Sequence, residues 1–169
     1  MGELRVGNPA ELRVDVGPVI DAEARAGITQ HIEKLKAQGH RVFQHPNHVS
    51  AGSAPGTFVP PTLIELNHIG ELQREVFGPV LHLVRYARKD LDQLLDQINA
   101  TGYGLTQGVH TRIDETIARV VDRAHAGNVY VNRNMVGAVV GVQPFGGESL
   151  SGTGPKAGGP LYLLRLLSQ

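Results

Sequence analysis

Cysteine is absent from the 169-residue chain. That excludes disulfides, cysteine-ligated zinc and a thiol nucleophile within these residues. Net charge is absent too, because sixteen Lys plus Arg balance sixteen Asp plus Glu. No overall field gathers nucleic acid or an anionic membrane surface, so neither is an expected partner. No apolar run approaches the roughly 20 residues that cross a bilayer, and Met1 to Pro9 lacks the apolar stretch of a signal peptide. A cytoplasmic, soluble chain without membrane insertion is therefore expected. What is present is a composition of 41% hydrophobic and 19% charged residues, which fits a globular fold rather than disorder. The length suits one domain with a substantial core.

Periodicity predicts the elements. Ile28, Ile32 and Leu35 recur at helical spacing between a capping Asp21 and a stop at Gly39, giving a helix to about Gln38. Arg41 to Gln44 reads as a short strand, His45 to Gly56 as a polar loop, and Thr57 to Leu66 as a strand whose Pro60 and Pro61 favour an edge or bulge. Val80 to Tyr86 predicts a strand, and Leu91, Leu94, Leu95 and Ile98 predict a helix from Asp90 to Ala100 that ends at Gly102. Leu105 to His110 predicts another strand. Thr111 and Asp114 approximate a capping box for a helix carrying Ile117, Val120, Val121 and Ala124, ended by Gly127. Asn128 to Val131 and Leu161 to Leu167 complete the strand candidates. This alternation predicts an α/β fold, a mainly parallel sheet with flanking helices, with ligands beyond the carboxyl ends of its strands.

The chemistry concentrates in two places. In Glu75-Val-Phe-Gly-Pro79, a carboxylate that accepts bonds from paired hydroxyls stands near an aromatic able to cover a flat ring, a pairing suited to a ribose and its base. Glu75 pairing with Arg74 or Arg85, and Phe77 filling core, are the structural alternatives. The second place is the glycine-rich loop from Asn132 to Pro160, which shows neither helical nor strand periodicity. Its glycines let backbone N–H groups approach an anion, a carboxylate or phosphate, although turns use glycine as well. Phosphate-loop and dinucleotide-loop spacings fail on inspection, since Thr153 follows Gly152 and a third glycine is missing. Gly147-Glu-Ser149-Leu-Ser151 approximates a nucleophile elbow without the helix it must open. His45 and His48 lack acidic or cysteine neighbours, so a solvated loop is expected and a metal is not.

Several of these segments, taken in order, carry a resemblance. Asp15-Val-Gly-Pro-Val-Ile20, Glu75-Val-Phe-Gly-Pro79, Gly102-Tyr-Gly-Leu-Thr106, Gly127-Asn-Val-Tyr-Val-Asn132 and Gln143-Pro-Phe-Gly-Gly147 occur in the order and spacing of the aldehyde dehydrogenase superfamily. The loop from Asn132 to Pro160 more narrowly resembles the L-glutamate γ-semialdehyde (Δ1-pyrroline-5-carboxylate) dehydrogenase branch, in the form found within bacterial bifunctional proline utilisation A. In that family a dinucleotide-binding domain, a water-activating glutamate and a nucleophilic cysteine precede the first of these motifs. The resemblance therefore implies the C-terminal portion of an NAD-dependent dehydrogenase, its catalytic domain lacking the N-terminal part and inactive alone.

It further implies that Glu75 holds the nicotinamide ribose, with Phe77 and Leu105 near the nicotinamide. Backbone N–H groups of Gly137 and Ala138 would anchor the substrate's carboxylate, and Phe145 would pack on its aldehyde chain. Residues 161–167 would add an oligomerisation strand, so a homo-oligomer is expected alongside the remainder of the parent polypeptide. NAD is the implied cofactor, FAD belonging only to a separate proline dehydrogenase module if the parent carries one. A rival of another class is a non-enzymatic binding or scaffold protein that kept this fold after losing its thiol.

Overall fold

A computed structural model describes residues 1–44, 56–139, 142–152, 156 and 162–167. The segment holding His45 and His48, and Gly141, Gly154, Gly158 and Gly159 of the glycine-rich loop, lie outside the described residues. Length alone predicts one domain; the chain instead forms two compact units, Met1–Arg85 and Tyr86–Gln169. Each has its own apolar cluster.

In the first unit, α1 (Ala22–Ala37) starts where Asp21 accepts a bond from the Ala24 N–H at 2.7 Å, and ends before Gly39, whose φ of 89° suits glycine. Its Ile28, Ile32 and Leu35 pack on Val59, Ile64 and Leu66. The strand β2 (Thr62–Leu66) supplies that surface because alternate residues Thr62, Ile64 and Leu66 face inward. It lies between β1 (Arg41–Gln44), antiparallel, and β3 (Val80–Val84), parallel. β2 is shorter than the predicted 57–66 because Pro60 and Pro61 cannot donate ladder bonds. Thr62 is the buried polar residue here, and its hydroxyl donates to the Pro60 carbonyl at 2.8 Å.

His31 on α1 and His82 on β3 meet at 2.8 Å between their Nε2 atoms, so one ring donates and the other accepts. Burial holds both imidazoles below their ordinary value of 6.5; Arg74 and Lys34 add to this at His31, and His31 adds at His82. The unfolded chain therefore takes up protons first on acidification. Stability is expected to fall as pH drops below 6.5 toward the lowered folded values, and to be level above. His31→Gln should flatten that limb in urea unfolding measured on either side of about pH 6.5.

In the second unit, α2 (Leu91–Ala100) and α3 (Asp114–Arg123) bury Leu91, Leu95 and Val120 against Val109 of β5 (Thr106–Val109). β5 pairs in parallel with β6 (Asn128–Val131). Two predictions are corrected here. The capping box does not form: the residue preceding α3 is Ile113, which makes no side-chain cap bond, and Thr111 instead accepts the Ile113 N–H at 3.2 Å. Asn132 holds Thr111 through bonds to its N–H and carbonyl at 2.9 and 3.0 Å, drawing it away from the helix end. The segment expected as the strand 161–167 forms α4 (Tyr162–Leu167). Leucine is a strong helix former, and a helix satisfies its own backbone groups where a strand requires a neighbour.

Candidate functional site

The glycine-rich loop is tied down more than its sequence predicts. Within it Glu148–Ser149 forms β7, antiparallel to β4 (Tyr103–Gly104), with Tyr103 opposite Ser149. The Ser151 hydroxyl accepts the Gly104 N–H at 3.1 Å, and Leu150 N–H donates to the Gly102 carbonyl at 3.0 Å. Ser151 is thus a structural acceptor. Glycine is required where these strands close up: a Cβ at Gly104 would stand 2.4 Å from the His125 carbonyl oxygen, and one at Gly147 2.4 Å from that of Ser151.

Phe145 is half-buried, and the side chain of Asn128 on β6 determines its place. The Asn128 amide donates to the Pro144 carbonyl at 3.0 Å and accepts the Gly146 N–H at 3.4 Å, bracketing Phe145 from both sides. The Asn128 N–H also donates to the Leu105 carbonyl at 3.1 Å, so one residue links Leu105 to Phe145. Sequence reasoning gave Asn128 no role. Its motif was visible, but contacts spanning 16 and 18 positions leave no local pattern.

Gly137 and Ala138 lie in the same loop as Phe145, between the turn after β6 and a turn in which the Val142 and Gln143 N–H groups donate to the Val139 carbonyl at 3.0 and 3.3 Å. Both are half-exposed. Their N–H groups have no acceptor among the described residues. Upstream, the guanidinium of Arg133 stacks 4.6 Å from the centre of the Tyr130 ring and reaches the Gln143 side chain at 3.4 Å, while Gln143 donates to the Tyr130 hydroxyl at 3.3 Å. These contacts tie the start of the loop, at Arg133, to Gln143 beyond Gly137 and Ala138.

Glu75 and Phe77 belong to the first unit, on the irregular stretch before β3. The core reading of Phe77 is overturned, because its ring is 80% exposed. Val76 packs inward instead, and Gly78 runs so close to α1 that a Cβ there would lie 2.5 Å from the Ile28 Cδ1. This inward anchoring sends the neighbouring Glu75 and Phe77 toward solvent. The ion-pair reading of Glu75 is overturned as well: Arg85 pairs with Glu65 at 2.6 Å, and Glu75 has no hydrogen bond or ion pair among the described residues. A free carboxylate next to an uncovered aromatic remains.

Among the described residues there is no group of three or more side chains able to hold a metal, and no helix is long and apolar enough to cross a membrane.

Comparison with known proteins gives these features a context. A model of the aldehyde dehydrogenase family matches residues 1–168. The chain is 66% identical to the bifunctional protein PutA of Klebsiella aerogenes over 171 aligned positions, covering 99% of this chain and 13% of that protein. A crystal structure of a Bradyrhizobium japonicum proline utilisation A mutant superposes with a TM-score of 0.88 at 53% identity, covering 97% of this chain and 16% of the other. The 1-pyrroline-5-carboxylate dehydrogenase from Thermus, solved with bound NAD, gives 0.74 at 39% identity over 89% of this chain and 28% of its own. The chain therefore spans a small fraction of the relatives it matches.

Proposed function

The chain belongs to the aldehyde dehydrogenase family, and on that premise we propose that it is the C-terminal part of an NAD-dependent L-glutamate γ-semialdehyde dehydrogenase within a bifunctional proline utilisation A polypeptide. The observation that supports this reading is that the N–H groups of Gly137 and Ala138 have no acceptor among the described residues and belong to the same glycine-rich loop as the bracketed Phe145. Adjacent main-chain donors suit a carboxylate, and an aromatic nearby suits the short apolar chain joining it to an aldehyde. The loop 132–160 is thus the proposed substrate anchor.

Glu75 and Phe77 fit the cofactor. A carboxylate with no internal partner accepts bonds from two ribose hydroxyls, and the exposed ring covers an aromatic base. Leu105, in the second unit and 39% exposed, is assigned to the nicotinamide by the family resemblance alone. NAD would supply the hydride acceptor. The residues of this chain orient the aldehyde and shield it from water, while a cysteine thiolate outside the chain attacks the carbonyl carbon, and water later releases the product carboxylate. FAD is assigned to a separate proline dehydrogenase module. Leu163 and Leu167 of α4 are 72% and 80% exposed, a surface suited to burial against the remaining polypeptide or a second copy in a homo-oligomer.

The test uses the complete dehydrogenase that contains this chain. Glu75→Ala is expected to raise the KM for NAD about tenfold or more, the equivalent of losing hydrogen bonds to a charged group, with little change in the KM for the semialdehyde. Phe145→Ala should reverse that pattern. An unchanged KM for NAD in the Glu75 variant would remove the cofactor assignment.

A further inference from the structure

The dehydrogenase reading leaves unused a cleft of about 1020 Å³ in the first unit, between α1 and residues 67–74. Its lining is cationic: Lys34 and Arg74 face it together with His31, His40 and His68, against a single carboxylate, Glu71. That carboxylate is already satisfied. Asn67 donates to it from its backbone at 3.0 Å and from its side chain at 3.1 Å, and the Nε2 atoms of His40 and His68 each lie 3.7 Å away. Burial pushes the Glu71 carboxyl up, but the Asn67 bonds and the two imidazoles outweigh it and hold it below the usual carboxylate range.

Lys34 and Arg74 have no such compensation. Neither side chain makes a hydrogen bond or ion pair among the described residues, and Glu33, the carboxylate beside Lys34 on α1, lies 3.8 Å from Lys36. The two come from different elements, yet both charges act on the same imidazole, His31. Two cations lining one recess, with its single acid engaged by Asn67 and the imidazoles of His40 and His68, form the recognition chemistry of an oxyanion. Two fixed positive charges plus an imidazole able to take a proton match a doubly charged anion better than a single carboxylate.

We propose that this cleft binds an oxyanion of the phosphate class between Lys34 and Arg74, with His31 beside it. The site uses none of the residues assigned to cofactor or substrate, so it stands or falls independently of the dehydrogenase reading. Binding and protonation of His31 are then linked: an anion held there offsets Lys34 and Arg74 and favours the imidazolium, while His82 on β3, 2.8 Å away between Nε2 atoms, is the other titratable group facing the ring and responds with it.

The experiment is an NMR titration of the His31 ring in the 169-residue chain, with inorganic phosphate added at constant ionic strength. Phosphate is expected to raise the His31 pKa saturably, by about half a unit or more. Acetate or chloride at matched ionic strength should move it far less. Lys34→Gln and Arg74→Gln should each weaken phosphate binding at least about fivefold, with Lys36→Gln as the neutral control. Both altered side chains are exposed and outside the core, and an unchanged urea-unfolding midpoint, with unchanged methyl resonances of the buried Ile64, verifies that the fold is retained in each variant. The proposal is overturned by the absence of a saturable shift, by an equal response to chloride or acetate, or by a response that survives both substitutions.

Discussion

Gly127→Ala is expected to destabilise the second unit by about 3 kcal/mol, the upper range for overpacking a closed site. An added Cβ at this position would stand 1.6 Å from the Gly146 carbonyl oxygen and 2.6 Å from its carbon. Both obstacles are backbone, so no side chain can swing aside. Relief by moving Gly127 is blocked as well, because its N–H donates to the Gly104 carbonyl at 2.9 Å and its own carbonyl accepts from the Lys156 ammonium. Relief by moving Gly146 would pull on the Asn128 amide that brackets Phe145. The same variant in the complete enzyme should therefore lose semialdehyde affinity along with stability.

Gly137→Ala is the contrasting case. A Cβ there meets nothing within 4 Å, so its effect on stability should stay within about 0.5 kcal/mol. Chemical denaturation of the two variants measures the difference. Equal midpoints would contradict the close approach described at Gly127.

The contrast between these glycines shows what was legible in the chain and what was not. α1 was readable because its signals are local: a capping aspartate, inward residues at helical spacing, and a glycine stop. β7 was not, since two residues amid glycines have no alternation, and its pairing is decided by Tyr103 and Gly104 far along the sequence. The failed capping box has a similar cause. Thr111 has the right spacing to Asp114, but Asn132 binds its backbone from the next crossover. For α4, an apolar run of leucines is compatible with helix or strand, and periodicity could not separate them over so short a length.

At the candidate site, residue types suggested Glu75 and Phe77, while Leu105, Gly137, Ala138 and Phe145 were reached only through the family resemblance. They could not show which were free to act. That Phe77 faces solvent depends on Val76 and Gly78 meeting α1, and that Glu75 lacks a partner depends on Arg85 being held by Glu65. The supporting residues Asn128, Gln143 and Arg133 were hidden for the same reason: they act across the loop rather than along it.

The second large effect concerns turnover. The chain contains no cysteine, so it has no thiolate to attack an aldehyde carbon. Ser151 does not replace it, because its hydroxyl is engaged by the Gly104 N–H at 3.1 Å. Removing the nucleophile from a covalent mechanism costs on the order of 10⁶ in kcat, whatever binding groups remain. The proposed substrate and cofactor contacts leave that loss in place.

NADH formation from L-glutamate γ-semialdehyde, followed with the rigorously purified 169-residue chain and in parallel with the complete polypeptide containing it, tests the division of labour most directly. The account predicts full activity from the complete polypeptide and none above the blank from the chain. Sustained NADH production by the chain alone would contradict it.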